Sequence, residues 1–348
     1  EQKNILNYIN IIQYSMSEGL IAIDLENKFS TINKAASSYL NIDRKKDIGK
    51  PYDKKIKNKA IKKIIKSILK KQRPITKEIR IGRMKKMFFI VNGKVLKDQK
   101  SKPVGCLIVM TDVTRLKQLE AMRRVFVANV SHELKTPITS IGGYIETAQG
   151  DIPLEKKNEF LEKAIKQNNR LNSIIDDLLR LSRIEAIEDE DTFTLSTQKL
   201  LPIIESSIED IRGEIKKYGN KVVIECSDDI CAKIDSQLMR EALINLLENA
   251  IKYGVDNSTV ILSVKRKSNK ILIDIENKGE LIPEKERDRI FNRFYRLDKS
   301  RSKKTGGTGL GLAIVKHISI VHNGTIEVHK SDGNTTVFRL TLPVKKLS

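Results

Sequence analysis

Residues 126–137 read FVANVSHELKTP, from Phe126 to Pro137. Around them Leu119, Met122, Phe126, Val130, Leu134 and Ile141 recur at intervals of three, four and seven residues. That is the spacing of one buried stripe, and it predicts a helix from Arg115 to about Gly150. At about 100° per residue, His132 lies roughly 160° from the centre of the Phe126/Val130/Leu134 face. The histidine is therefore expected to point away from the core, with Thr136 one turn on along the same side. Pro137 cannot donate to the Glu133 carbonyl and its ring crowds it, which predicts a bend just past the histidine. An outward histidine beside a kink has the look of a presented nucleophile. An amphipathic helix can also carry such a residue merely on its surface. The zinc-protease pattern H-E-x-x-H is excluded, because its second histidine position is Thr136.

At 348 residues the chain has room for two or three domains, each with its own core. Its 39% hydrophobic and 31% charged residues are ordinary for a soluble globular protein. Cys106, Cys226 and Cys231 are an odd set without CxxC spacing, which points to a reducing compartment and away from a disulfide frame or a zinc cluster. The longest apolar run, Cys106 to Met110, is far too short to cross a bilayer. No signal peptide is visible and the chain opens on Glu1, so it is expected to be an excised soluble portion of something longer. The net charge of +21 is uneven: residues 1–113 carry 26 Lys+Arg against 10 Asp+Glu, the remainder 39 against 34. A basic first third suits nucleic acid or an anionic membrane surface. The lysines are spread out, without interleaved aromatics, so a solvated surface is expected and no direct nucleic-acid binding.

Four regions follow from the patterning. Residues 1–16 read as an apolar-periodic linker helix. Residues 17–113 alternate as strand, strand, helices, strand, strand, strand, including one lysine-rich helix from Lys54 to Lys71, and predict an α+β unit with a single antiparallel sheet. Residues 114–186 comprise the histidine-bearing helix, a GDIP loop, and a second helix from Leu154 with Leu161, Ile165, Asn168, Leu171, Ile175, Leu178 and Ser182 near heptad spacing. Such a hairpin cannot bury both apolar faces alone, so two copies are expected to pair into a four-helix bundle as a homodimer. Residues 187–348 begin with the acidic run Glu188 to Asp191, expected to be a solvated linker. They continue with helices at Leu200 to Tyr218, Ser236 to Tyr253 and Leu310 to His322 among five strands, an α/β sandwich with helices on one face of a mixed sheet. The fold class expected is multidomain α+β.

Three stretches of the last region carry chemistry. Asn245, Asn249 and Lys252 share one helical face, where two carboxamide oxygens and an ammonium suit a magnesium nucleotide. A polar stripe on an ordinary helix has the same spacing. Asn277 closes a strand with an amide able to meet an adenine edge, and Gly279 lets backbone approach a ligand closely. A basic segment from Arg293 to Lys304 leads into Thr305-Gly306-Gly307-Thr308-Gly309-Leu310-Gly311. Glycines ahead of a helix leave N–H groups aimed at an anion, and Arg296, Arg301, Lys303 and Lys304 fit a lid over a triphosphate.

Taken in this order, these stretches resemble the sensor histidine kinases of two-component signalling. His132 to Pro137 matches the phosphoacceptor box, Asn245 to Tyr253 the N box, Phe291 to Arg296 the F box and Gly307 to Gly311 the second glycine box. Residues 17–113 resemble a PAS sensor domain at Met16 to Asp24, Ile32 to Ala36 and Asp112 to Thr114. The likeness departs at Asn277, where the family usually has aspartate, and at Leu281, where it has a second glycine; adenine binding is the property these departures touch.

The resemblance implies a phosphoacceptor bundle and an ATP-binding domain of the gyrase-like ATPase fold, together forming the cytoplasmic portion of a bacterial membrane-anchored sensor. It implies ATP as phosphoryl donor, with Mg2+ held by Asn249 and Asn245. Lys252, Arg296 and Arg301 would face phosphate, Tyr253 and Tyr295 would line the nucleotide, and Gly307, Thr308, Gly309, Leu310 and Gly311 would form the glycine box. Autophosphorylation would occur on His132, with Glu133 fixing its tautomer. Transfer to the aspartate of a response regulator receiver domain follows, and Thr136 is implied in dephosphorylating that partner. Asn245 stands where gyrase-like ATPases carry a water-activating glutamate, which separates the kinase reading from a hydrolytic ATPase. A signalling scaffold with an inactive nucleotide domain is the non-enzymatic alternative.

Overall fold

A computed structural model describes residues 11, 15–82, 86–189, 194–297 and 307–344. Most of the linker helix expected over 1–16 lies outside the described residues, as do Arg301, Lys303, Lys304, Thr305, Gly306 and the acidic run from Glu190. The chain divides into two compact units, Glu1–Val125 and Phe126–Ser348.

In the first unit, strands β1 (Gly19–Asp24) and β2 (Phe29–Ile32) meet at a turn where Asn27 adopts φ of 64°. Asn33, fully buried, caps α1 (Lys34–Leu40) by accepting from Ala36 N–H, and it also binds Leu20 N–H and the Glu18 carbonyl. Two short helices follow, α2 (Arg44–Asp47) and α3 (Tyr52–Lys55), then α4 (Lys59–Lys71). The single helix predicted over 54–71 is thus interrupted. Asn58 caps α4 by accepting from Ala60 and Ile61 N–H, and Ile56 is extended, so a new helix starts rather than the old one continuing. Strands β3 (Ile75–Ile81), β4 (Met87–Lys97) and β5 (Pro103–Asp112) complete a five-stranded antiparallel sheet in the order β2-β1-β5-β4-β3. The inward row of α4 (Ile61, Ile64, Ile65 and Ile68) packs with Phe89, Val91, Ile108 and Met110 of the sheet. Cys106 lies in this core, as its strand position predicts, and burial pushes its thiol up to about 11.

Two 36-residue helices follow, α5 (Thr114–Gln149) and α6 (Leu154–Asp189). Helix α5 remains helical through Pro137, its one buried residue. Phe126, Val130, Leu134 and Ile141 of the predicted stripe are half-buried, whereas Leu119 and Met122 are exposed. The α6 heptads divide between two faces. Leu171 and Leu178 are half-buried, but Leu161, Ile165, Asn168, Ile175 and Ser182 are exposed, while Ala164, Ile174, Leu181 and Ile184 are buried within the chain. The helices run antiparallel, since Tyr144 meets Phe160 with ring centroids 6.2 Å apart and Glu133 meets Arg170 at 3.4 Å.

The remaining elements are β6 (Ser196–Lys199), α7 (Leu200–Asp210), α8 (Arg212–Tyr218), β7 (Lys221–Glu225), β8 (Cys231–Ile234), α9 (Ser236–Lys252), β9 (Thr259–Lys267), β10 (Lys270–Lys278), α10 (Gly311–Val321), β11 (Thr325–Ser331) and β12 (Thr335–Pro343). The helix predicted over 200–218 breaks at Ile211, whose ψ of 10° ends one helix and begins the next. The main sheet, β11-β12-β10-β9-β7, is mixed because β7 joins parallel to β9. One face carries α7, α9 and α10 over a core of Val260, Leu262, Ile271, Ile273, Ile275 and Leu340. Strands β6 and β8, unpredicted, pair as a separate two-stranded sheet. Leu181 and Ile184 of α6 belong to this same core. The last turns of the helical hairpin are therefore built into the α/β layer.

Candidate functional site

His132 stands exposed on α5, as its angular position predicts. Thr136, also exposed, donates its hydroxyl to the His132 carbonyl at 3.1 Å, and Pro137 leaves the Glu133 carbonyl without its usual i+4 donor. Glu133 is half-buried and held from the opposite helix by Arg170. The site on the hairpin is an imidazole open to approach, flanked by a carboxylate whose position α6 restricts.

The second site begins with α9. Asp235 caps it by accepting from Leu238 N–H at 2.9 Å, and its apolar face sinks into the core at Met239, Leu243, Leu246, Leu247 and Ile251. Asn245 and Asn249 remain half-buried on the other side. Asn245 donates to the Glu241 carbonyl at 2.9 Å, turning its Oδ1 towards Gly311, where a Cβ would come within 2.5 Å of that oxygen. Lys252 is ion-paired with Glu248 at 2.7 Å, so its ammonium is tethered to α9.

Strand alternation in β10 buries Ile271, Ile273 and Ile275, and the next inward position is Asn277, only 4% exposed. A carboxamide ends an apolar row. Its Nδ2 donates to the Lys278 carbonyl at 3.1 Å, leaving the amide oxygen as acceptor. Gly254 and Gly279 bridge the end of α9 to the end of β10, and a Cβ on Gly279 would fall 2.9 Å from the Asn277 amide and 3.1 Å from the Tyr253 carbonyl. Gly309, at φ of 76°, lies where a Cβ would meet the Phe294 backbone at 3.1 Å, and Phe294 N–H donates to the Gly309 carbonyl at 2.8 Å. Gly307 approaches the Tyr253 hydroxyl, and buried Leu310 immediately precedes α10. Glycines from three segments thus form one cradle of close approaches that side chains would obstruct.

Basic and aromatic residues close the rim. Burial lowers the pKa of Arg296, with Tyr253 and Glu133 favouring its charged form and Arg170 opposing it, so this guanidinium lies within electrostatic reach of the hairpin site. Tyr295 hydrogen-bonds Glu286, which raises the phenol, and Arg289 stacks 4.8 Å from its ring centroid. Tyr295 is accordingly tied to the 284–291 turns. Arg301 lies outside the described residues.

The sequence did not disclose the residues that join the two sites. Thr308 donates to Asp177 of α6 at 2.6 Å, and burial pushes the Asp177 carboxyl up while this bond opposes it. Arg293 binds Glu185 and lies 4.9 Å from the Phe126 ring centroid; Phe126 itself approaches Phe294 at 6.1 Å. His317 of α10 reaches Glu188 at 2.7 Å and Glu185 at 3.3 Å. These partners lie more than a hundred residues apart in sequence, and the charged ones each read alone as surface charge.

Residues 122–187 match the family model of the His Kinase A (phospho-acceptor) domain, and 234–346 that of the histidine kinase-, DNA gyrase B- and HSP90-like ATPase. A sensor protein kinase WalK of Staphylococcus aureus is 31% identical over 94% of this chain and 79% of that protein. The sensor histidine kinase WalK of Bacillus subtilis is 30% identical over 97% of this chain and 55% of that protein. For a WalK of Staphylococcus epidermidis, 36% identical over 73% of this chain, the match spans only 42% of the relative's length. The solved histidine kinase ThkA, in complex with the response regulator protein TrrA, superposes with a TM-score of 0.52 over 97% of this chain and 98% of that one. At 22% identity this likeness speaks for fold alone. An exposed histidine on a helical hairpin, an asparagine-bearing helix and a glycine cradle over a mixed sheet, together with these matches, make the chain a member of the sensor histidine kinase family of two-component systems.

Proposed function

We propose that the chain is an ATP-dependent autokinase in which His132 receives the γ-phosphoryl group and passes it to an aspartate on a response regulator receiver domain. The observation that carries this reading is the exposure of His132 in the same compact unit as the glycine cradle. A ring nitrogen attacks the phosphorus and ADP leaves, while Glu133 accepts the other ring N–H, fixing the tautomer and strengthening the nucleophile. The cradle offers the backbone N–H groups and amide oxygens that a triphosphate and its cation need. Asn249 and Asn245 would hold Mg2+, which would supply charge neutralisation at the phosphates. Asn277 and Gly279 take the adenine end; Tyr253 and Tyr295 line it. Arg296, Arg301 and Lys252 face phosphate oxygens, the last after leaving Glu248. Gly307 to Gly311 supply the backbone at the start of α10.

The hairpin pairs with a second copy. Leu161, Ile165 and Leu179 of α6 and Leu119, Met122 and Ile138 of α5 are all exposed in the single chain, an apolar surface that a four-helix bundle would cover. Residues 17–113 act as a PAS-like sensor, a reading supported by the antiparallel five-stranded sheet with helices on one side. Residues 114–186 serve as dimerisation and phosphotransfer domain and 187–348 as ATP-binding domain, with 1–16 as linker helix. The full-length protein is anchored in a bacterial cell membrane, and Thr136 orients water for the reverse dephosphorylation of the regulator.

Transfer of label tests the function. Chain prelabelled from ATP and freed of nucleotide should lose its phosphoryl group to an added receiver domain. Free phosphate released from ATP without any acid-labile phosphoryl group bound to the chain would favour a hydrolytic ATPase.

A further inference from the structure

In the first unit, lysines occur along the whole sequence but are densest around one helix. Between positions 48 and 77 there are twelve Lys and Arg against one acidic residue, Asp53. Helix α4 contributes an exposed row at Lys59, Lys63, Lys66 and Lys70, spaced four, three and four residues apart, and none has a carboxylate partner among the described residues. Glu78, the next carboxylate in sequence, is already paired with Lys117 at 2.9 Å. Like charges at these spacings destabilise a helix by a few tenths of a kcal/mol per pair. A helix that needed only a wet outer face would gain by interspersing glutamates.

Beside this row, α4 and β3 enclose an open groove of about 500 Å³, with Lys59, Lys63 and Lys77 on its rim and Ala60, Ile64 and Ile75 forming the floor. Lysines on flexible apolar stems over a shallow apolar floor match a layer of anionic headgroups above glycerol and acyl carbon. The face lacks the aromatic platforms with which proteins stack nucleic-acid bases. We propose that the lysine face of α4 and its groove form a docking surface for the anionic phospholipids of a membrane. This assignment stands apart from the kinase reading, because none of its residues belongs to either site above.

The test mixes the 348-residue chain with vesicles of phosphatidylcholine alone or of phosphatidylcholine and phosphatidylglycerol in equal parts, and measures co-sedimentation. Binding is expected only to the anionic vesicles and should weaken as salt is raised. Each lysine at such a surface contributes roughly fivefold to partitioning, so the triple variant Lys63→Gln/Lys66→Gln/Lys70→Gln should bind on the order of a hundredfold more weakly. Its melting temperature should stay level or rise, since repulsion within α4 is relieved. The control Lys94→Gln/Lys97→Gln/Lys100→Gln removes the same charge from exposed positions on and just beyond β4 and should retain most binding. Equal losses in the two triples, or no preference for anionic vesicles, would overturn the proposal. So would duplex DNA binding as tightly as the vesicles through the same three lysines.

Discussion

His322 and His132 illustrate how surroundings assign opposite tasks to one side chain. His322 is 1% exposed, its Nδ1 donating to the Ile318 carbonyl at 2.7 Å and its Nε2 accepting from Asp235 N–H at 3.0 Å. Both nitrogens are committed to the neutral tautomer, and burial holds its pKa below the ordinary 6.5. A second proton would face the Asp235 N–H. The unfolded chain therefore binds more protons between the lowered folded value and 6.5, so stability falls as pH drops through that window. The melting temperature should decline below about pH 6.5, with a shallower decline in His322→Gln. Asn277 makes a smaller claim. On the proposed reading its amide oxygen accepts from adenine, so Asn277→Ala should weaken ATP binding about fivefold in a nucleotide titration, the weight of one net hydrogen bond. Among the described residues the Thr136 hydroxyl bonds only to its own helix, at the His132 carbonyl, and its loss should leave α5 intact. Thr136→Ala is expected to reduce dephosphorylation of the regulator more than autophosphorylation; equal loss of both would remove Thr136 from the reverse reaction.

At the scale of elements, α6 has two allegiances. Its first half faces α5, while Leu181 and Ile184 sit in the core beneath α10. Leu181→Ala should therefore cost about 2–4 kcal/mol and lower the melting transition of the ATP-binding layer, not only that of the hairpin. Heptad spacing announced α6 but could not apportion it. A 3.5-residue repeat marks a seam without saying which of two neighbours covers it, and here the exposed Ile165 and buried Ile174 serve different faces. The acidic run looked like linker because charge is legible and partners are not; Glu188 is in fact part of α6 and meets His317. Long strands such as β4 and β10 were readable from alternation. The pair β6 and β8, reading STQK and CAKI, is too short and too polar to give a period. Within the candidate site, Asn245, Asn277 and the glycines were legible because their types are unusual for their positions. Arg170 and Asp177 were not, since arginine and aspartate on an amphipathic helix are ordinary until folding brings Glu133 and Thr308 to them.

At the scale of the whole molecule, the described part of the nucleotide rim packs on a helix of the hairpin. Thr308, Arg293 and His317 each grip α6, so the glycine segment and the F-box aromatics are held on the hairpin in this conformation. Phosphoryl transfer requires an approach to His132, which remains exposed. The central claim, that this imidazole is the acceptor, is tested most directly by incubating the chain with labelled ATP and Mg2+ and mapping the modified residue by mass spectrometry under neutral conditions. The account predicts one acid-labile phosphoryl group, on His132, absent from His132→Gln even when ATP still binds. Label retained in His132→Gln, or mapped to any other side chain, would contradict it.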